Sequence, residues 1–197
     1  GVHSIIVTDK AGNMTTKTFV VDKTAPIFTL KEFYAANETI NLVIEEENID
    51  YVTLDGVTVV LRSWDSTTLS EGKHTIIVYD KAKNSKSADF YFKTTQPVLS
   101  LVKNGASASS GVFLAAGDII EVVISDEQFD FLTFDGIKVT DLIYIDNYQW
   151  KRKWVADDLI EGTHTLSVTD KANNETILVF FVDKIAPTLT FKVNGSI

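Results

Sequence analysis

The chain has 197 residues, 45% apolar and 23% charged, a composition that suits one medium or two small globular domains and excludes a disordered tail. A formal net charge of −9 argues against nucleic acid and against anionic membrane surfaces, both of which call for Lys/Arg-rich faces. Without any cysteine, disulfides, thiolate zinc sites and cysteine nucleophiles are excluded as well.

In chain order, Gly1-Val-His-Ser-Ile-Ile-Val-Thr8 opens abruptly on a strand-like run, which reads as the interior of a longer protein. Thr39-Ile-Asn-Leu-Val-Ile-Glu45 alternates with period two and predicts a strand. Leu54-Asp-Gly-Val57 places Asp-Gly between strand-like runs, a strong hairpin signal. His74, Ile76 and Val78 share one face of the next run, and Phe90 and Phe92 one face of the run after it. Between them Asp80-Lys-Ala-Lys-Asn84 predicts a tight turn, with Asp accepting backbone hydrogen bonds and Asn tolerating positive φ. Asp118-Ile-Ile-Glu-Val-Val-Ile124 predicts another strand and Phe134-Asp-Gly-Ile137 another hairpin. No stretch carries a useful helical period, and no apolar run approaches the roughly 18 residues that span a bilayer.

The chain repeats itself. Gly1–Asn13 returns as Gly72-Lys-His-Thr-Ile-Ile-Val-Tyr-Asp-Lys-Ala-Lys-Asn84 and again as Gly162-Thr-His-Thr-Leu-Ser-Val-Thr-Asp-Lys-Ala-Asn-Asn174. Phe19, Phe90 and Phe180 correspond, as do Pro26, Pro97 and Pro187, the three prolines of the chain. Glu47–Val59 matches Glu127–Val139 at an offset of 80, which becomes 90 by Trp64 and Trp154, so ten residues are inserted between Val139 and Trp154. Residues 1–26 therefore read as the back half of a repeat, 27–97 and 98–187 as complete repeats, and 188–197 as the start of another, with a hairpin insertion near 140–153. Each complete repeat offers six or seven short strands with turn signals every ~8–12 residues, the pattern of an antiparallel sandwich. The lone hairpin 1–26 leaves an open edge and an apolar face, and is expected to be completed by upstream residues or by another chain, such as residues 188–197 of a neighbour.

Asp9-Lys-Ala-Gly-Asn13 followed by Phe19-Val-Val-Asp22-Lys-Thr-Ala-Pro26, and Val182-Asp-Lys-Ile-Ala-Pro187, resemble the ends of bacterial immunoglobulin-like domains. The resemblance covers essentially the whole chain and implies an all-β fold of tandem immunoglobulin-like antiparallel β-sandwiches. Such domains occur on bacterial surface and secreted proteins, as adhesin stalks and as accessory modules of carbohydrate-active enzymes. The middle copy departs from the pattern, with Lys93 where the others have Asp22 and Asp183. The expected function is a spacer or stalk segment of an extracellular bacterial multidomain protein, whose partners are neighbouring repeats of the same chain. The alternatives are an adhesin-type module gripping a glycan or host protein and a non-catalytic accessory domain.

Catalysis finds no support. The three histidines, His3, His74 and His164, occupy one repeated slot in separate repeats and read as core-edge residues. No Gly-x-Ser-x-Gly elbow and no Gly-rich phosphate loop is present. In an immunoglobulin-type sandwich, linker, second-to-third-strand loop and last hairpin loop meet at one end. Asp22, Glu45, Glu46, Glu47, Asp50 and Asp80 would gather there, hard oxygen donors suited to Ca²⁺ as the one candidate cofactor. At the next junction the set is Asp126, Glu127 and Asp170, with Lys93 replacing the linker Asp. In the insertion, Tyr144, Tyr148 and Trp150 form a candidate aromatic platform for a sugar or a protein surface, turning at Asp146-Asn147. Trp154 matches Trp64 and reads as core, which leaves Trp150 as the tryptophan expected at the surface.

Overall fold

The computed structural model describes residues 1–60 and 62–191. The chain divides into two compact units, Gly1–Thr94 and Thr95–Ile197. Residues 192–197, part of the expected start of a further repeat, lie outside the described residues.

Among the described residues the first unit contains eleven strands: β1 (Val2–Thr8), β2 (Met14–Val20), β3 (Phe28–Thr29), β4 (Phe33–Tyr34), β5 (Thr39–Asn41), β6 (Val43–Ile44), β7 (Ile49–Leu54), β8 (Val57–Val59), β9 (Ser63–Asp65), β10 (Gly72–Asp80) and β11 (Ser85–Phe92). Strands β1 and β2 form a sheet of their own. A five-stranded sheet in the order β4-β11-β10-β7-β8 faces the pairs β3-β6 and β5-β9 across a core of Phe28, Ile40, Val52, Ile76, Val78 and Phe90. Period-two alternation selects the inward residues: along β10, His74, Ile76, Val78 and Asp80 are buried while their neighbours are not.

The second unit contains β12 (Val98–Lys103), β13 (Ala106–Ala108), β14 (Val112–Leu114), β15 (Ile119–Ser125), β16 (Phe129–Phe134), β17 (Ile137–Lys138), β18 (Ile143–Tyr144), β19 (Gln149–Val155), β20 (Gly162–Asp170) and β21 (Glu175–Val182). One sheet runs β14-β21-β20-β16-β17 and the other β13-β12-β15-β19-β18, enclosing Leu101, Leu114, Ile120, Leu132, Leu166 and Phe180. Both units are immunoglobulin-like β-sandwiches. Their pairing is antiparallel except at one edge, where β4 runs parallel to β11 and β14 parallel to β21. There the chain leaves the sheet that holds its first strand and crosses to the edge of the other, so it arrives pointing the same way as the last strand.

Apart from two additions in the second, the two sandwiches correspond in strand order. Trp64 sits opposite Ile40 and Trp154 opposite Ile120. The β7–β10 and β16–β20 ladders carry the same register shift, at Tyr79/Asp80 in the first and at Phe129/Phe131 in the second, where Asp50 and Asp130 have no partner in the ladder. Two features set the second apart. The insertion supplies β18, paired with β19 through Ile143↔Lys151 and Tyr144↔Trp150. A second insertion, not recognised in the sequence, supplies the β12–β13 hairpin. Phe28 corresponds to Leu99 at an offset of 71, whereas Phe33 corresponds to Phe113 at an offset of 80, so nine residues enter between them. They turn at Asn104-Gly105, both at positive φ. Among the described residues no helix is long and apolar enough to cross a membrane.

Candidate functional site

The most elaborate polar constellation in each sandwich is built on the Asp-Gly hairpin turn. Asp55 and Gly56 have φ of 50° and 80°, and Asp135 and Gly136 have 49° and 78°, the two consecutive positive values that a two-residue hairpin turn demands. Asp tolerates the first and Gly adopts the second without strain. The turn delivers the Asp55 carboxylate to β10. Oδ1 accepts from the Thr75 amide at 2.8 Å and Oδ2 pairs with His74 Nδ1 at 2.7 Å. The other ring nitrogen, Nε2, donates to the Ser70 carbonyl at 2.8 Å. In the second sandwich Asp135 takes the Thr165 amide and His164 Nδ1, each at 2.7 Å, and His164 Nε2 reaches the Ile160 carbonyl at 2.9 Å.

A carbonyl only accepts, so Nε2 of each ring is the donor to it, while Nδ1 faces the aspartate. Both imidazoles are buried and lie against a phenylalanine, His74 on Phe90 at 5.3 Å and His164 on Phe180 at 5.2 Å. Burial pushes the Asp55 carboxyl up, but hydrogen bonds from His74 and the Thr75 amide, with the charge of the ring, outweigh it and hold the group below the ordinary carboxylate range. This is a latch that ties the β7–β8 turn to β10. Neither ring nitrogen is free to take a proton from a substrate, so the pair does not form a general base.

His3 occupies the same slot in β1 and stacks on Phe19 at 5.4 Å, yet it is exposed. The residues that make the latch were visible as repeats, but Asp55 and Asp135 escaped notice as its other half. They lie 19 and 29 residues before their histidines, because the ten-residue insertion falls between. The recurrence of Asp-Gly and His together in both complete repeats was the available signal.

The carboxylates expected to hold calcium do other things. Asp80 Oδ1 accepts the Asn84 amide and Oδ2 the Asn84 side chain, both at 2.8 Å, closing its own turn. Asp170 closes the equivalent turn through Ala172 and Asn174, and Asp9 through Ala11 and Asn13. Asp50 is paired with Lys83, and Asp22 Oδ1 accepts the Thr24 amide at 3.0 Å. The linker does reach the expected end of the first sandwich, but through its backbone, with the Asn84 side chain donating to the Asp22 carbonyl at 3.3 Å. Glu45 and Glu47 are exposed, and among the described residues no three His, Asp or Glu side chains are grouped to hold a metal. Of the donor set Asp22, Glu45, Glu47, Asp50 and Asp80, turn closure engages Asp22 and Asp80, a lysine engages Asp50, and the two glutamates face solvent.

The insertion also differs from expectation. Its turn passes through Asn147 and Tyr148, at φ 43° and 60°. Tyr144 and Tyr148 are 57% and 51% exposed. Trp150 is not a surface tryptophan. It is half-buried against the core, 4.6 Å from the Phe129 ring, with Tyr144 edge-on at 5.5 Å. Strand parity explains this: Trp154 pairs with Ile120 and Trp150 with Ile124, an even spacing that puts both on the core face. The neighbouring cations are engaged. Arg152 forks onto Asp141 and lies over the Trp154 ring, and Lys153 pairs with Glu121. Glu121, Asp141, Ile143, Lys151, Arg152 and Lys153 line a shallow depression of about 250 Å³.

No family model matches the chain, and no curated protein matches it. Solved structures that resemble it include the Bacteroides ovatus mixed-linkage glucan utilization locus protein SGBP-B in complex with a mixed-linkage heptasaccharide, at 16% identity and TM-score 0.31, covering 93% of this chain and 54% of that one. The fibronectin(III)-like modules of Clostridium thermocellum CbhA match at 12% identity and TM-score 0.34, over 84% of this chain and all of theirs (100%). Murine CEACAM1b matches at 11% identity and TM-score 0.38, over 81% of this chain and 100% of its own.

Proposed function

We propose that the chain is a non-catalytic structural segment of an extracellular bacterial surface or secreted protein, in which tandem immunoglobulin-like modules space a distal functional domain from its anchor. The observation that carries this reading is the repeated latch. In both complete sandwiches the histidine, the turn aspartate and the turn-closing Asp80 or Asp170 are consumed by internal hydrogen bonds, so the recurring polar residues serve the fold. A spacer needs modules that hold their own shape, and each sandwich has a separate core. Pulling the full chain from its two ends tests it. Two separate unfolding events are expected, each releasing about 3.3–3.6 Å per residue of its module. A single merged event would reject the reading.

A second reading is favoured by the exposure of Tyr144 and Tyr148 on an insertion that the first sandwich lacks. Two tyrosines beside charged residues suit a glycan or a protein surface. Saturable binding to a glycan array that disappears in the variant Tyr144→Ala/Tyr148→Ala would select this reading over the spacer.

A further inference from the structure

Both insertions of the second sandwich enlarge the same sheet. β13 is added at one edge, beside β12, and β18 at the other, beside β19, so that β12, β15 and β19 become the middle of a five-stranded sheet. Its counterpart in the first sandwich is two separate pairs, β3-β6 and β5-β9. The outer side of the enlarged sheet differs as well. Period-two alternation turns Val98 and Val102 of β12, Ile119 and Val123 of β15, and Val155 of β19 away from the core. The register sets Ile119 beside Val155, and Glu121 between Val102 and Lys153. Ile143 of β18 stands opposite Lys151 on the same side.

The first sandwich is an internal reference for this surface. Lys31, Thr39 and Asp65 stand where the second sandwich has Val102, Ile119 and Val155, at the offsets of 71, 80 and 90 that relate the repeats. A polar residue has become a β-branched apolar one at all three positions. Val98, Ile119, Ile143 and Val155 are 57%, 41%, 58% and 38% exposed. Spacing alone calls for neither a wider sheet nor an apolar outer side, whereas an interface calls for both.

We propose that this outer side is a self-association surface, on which a second copy of the chain packs the same side of its own sheet, face to face about a two-fold axis. The area fits that occupant. Five strands at ~4.8 Å and the seven residues of β15 at ~3.3 Å give about 550 Å² per copy and about 1,100 Å² in total, the low end of a specific, reversible contact. The charges fit as well. Glu121 pairs with Lys153, and Lys151 follows on the same side, so the surface carries both signs and a two-fold can set one copy's carboxylate against the other's ammonium. A sugar fits poorly, because among the described residues no outward side chain of these five strands is aromatic. Edge-to-edge pairing also fits poorly, since β13 and β18 offer only three and two residues. The inference goes beyond the spacer reading and does not depend on it.

Sedimentation equilibrium of the full chain tests the proposal. A monomer–dimer equilibrium with a Kd of roughly 10–300 μM is expected, without larger species, because a two-fold contact closes on itself. The variant Val102→Lys/Ile119→Thr/Val155→Asp writes the first sandwich's residues into the second and should weaken the dimer at least tenfold. An unchanged melting curve establishes that it folds. If the curve shifts, Ile143→Lys on the short edge strand β18 takes its place and should weaken the dimer at least threefold. Ile177→Lys, at an exposed apolar position of the other sheet, should leave the Kd unchanged. A chain that stays monomeric up to about 500 μM overturns the proposal. So does a dimer that the folded triple variant or Ile143→Lys leaves intact, since the contact then lies elsewhere. Dissociation by Ile177→Lys, or growth into open-ended oligomers, overturns it too.

Discussion

The hairpins β1–β2 and β10–β11 share the His-x-Ile-Ile-Val strand, the Asp-to-Asn turn, the Phe19/Phe90 position and the same pairing, and have opposite environments. In the second, the side chains at the shared inward positions are sealed; in the first, all seven residues of each strand are exposed. The turn chemistry is indifferent to this. Asp9 closes its turn in the open as Asp80 does in the core, and the side-chain hydrogen bond from Asn13, with the Asn13 amide next, holds the Asp9 carboxyl below the ordinary range. A hairpin is thus a local product, while its burial and the partner of its histidine are contributed by the strands of the front half.

That contrast can be broken first at the phenylalanine. Phe90→Ala should cost the first sandwich about 3–5 kcal/mol, read by denaturant unfolding, whereas Phe19→Ala should cost less than about 0.5 kcal/mol. Comparable losses would mean that the hairpin is covered in solution. At the latch, Asp55→Ala or Asp135→Ala should cost about 1–3 kcal/mol, because the buried His74 or His164 Nδ1 loses its partner, while His3→Ala should be nearly neutral.

Acid sharpens the comparison between the two sandwiches. Asp118 is hydrogen-bonded by the Lys103 ammonium, the Ala115 amide and the Asn104 side chain, in that order of effect, and its carboxyl falls to about 2. Its folded value lies below the unfolded value of about 3.9, so its contribution is complete above that pH and is lost as pH falls toward 2. Asp55 is shifted in the same direction, so its contribution to the first sandwich is also lost on acidification. An Asp118→Asn chain should show a flatter fall in melting temperature over this window, confined to the second sandwich. The smallest effect is expected from a chelator. Dialysis against EDTA should leave the melting curve of the full chain unchanged, since Asp80 is already satisfied by Asn84.

Residues acting over two to six positions were legible in the sequence. The Asp-Gly turns, the Asp-to-Asn turns and the alternating strands follow from φ restrictions and side-chain parity within a single element. The same parity bears on Trp150, whose even spacing from the core residue Trp154 places it inward, although its lack of a counterpart suggested a surface role. The β12–β13 insertion was less visible because Ala106-Ser-Ala-Ser-Ser110 carries no apolar alternation to announce a strand.

The repeat and the strands within it were determined by the sequence alone, because local sterics and the period of the pleat leave few alternatives. Which carboxylate meets which histidine was decided only by the tertiary structure. Asp55 reaches His74 across 19 residues and Asp135 reaches His164 across 29, separations that carry no local signal. They close only when β7 pairs with β10, and β16 with β20, because that long-range strand pairing sets each turn aspartate beside the strand that carries its histidine.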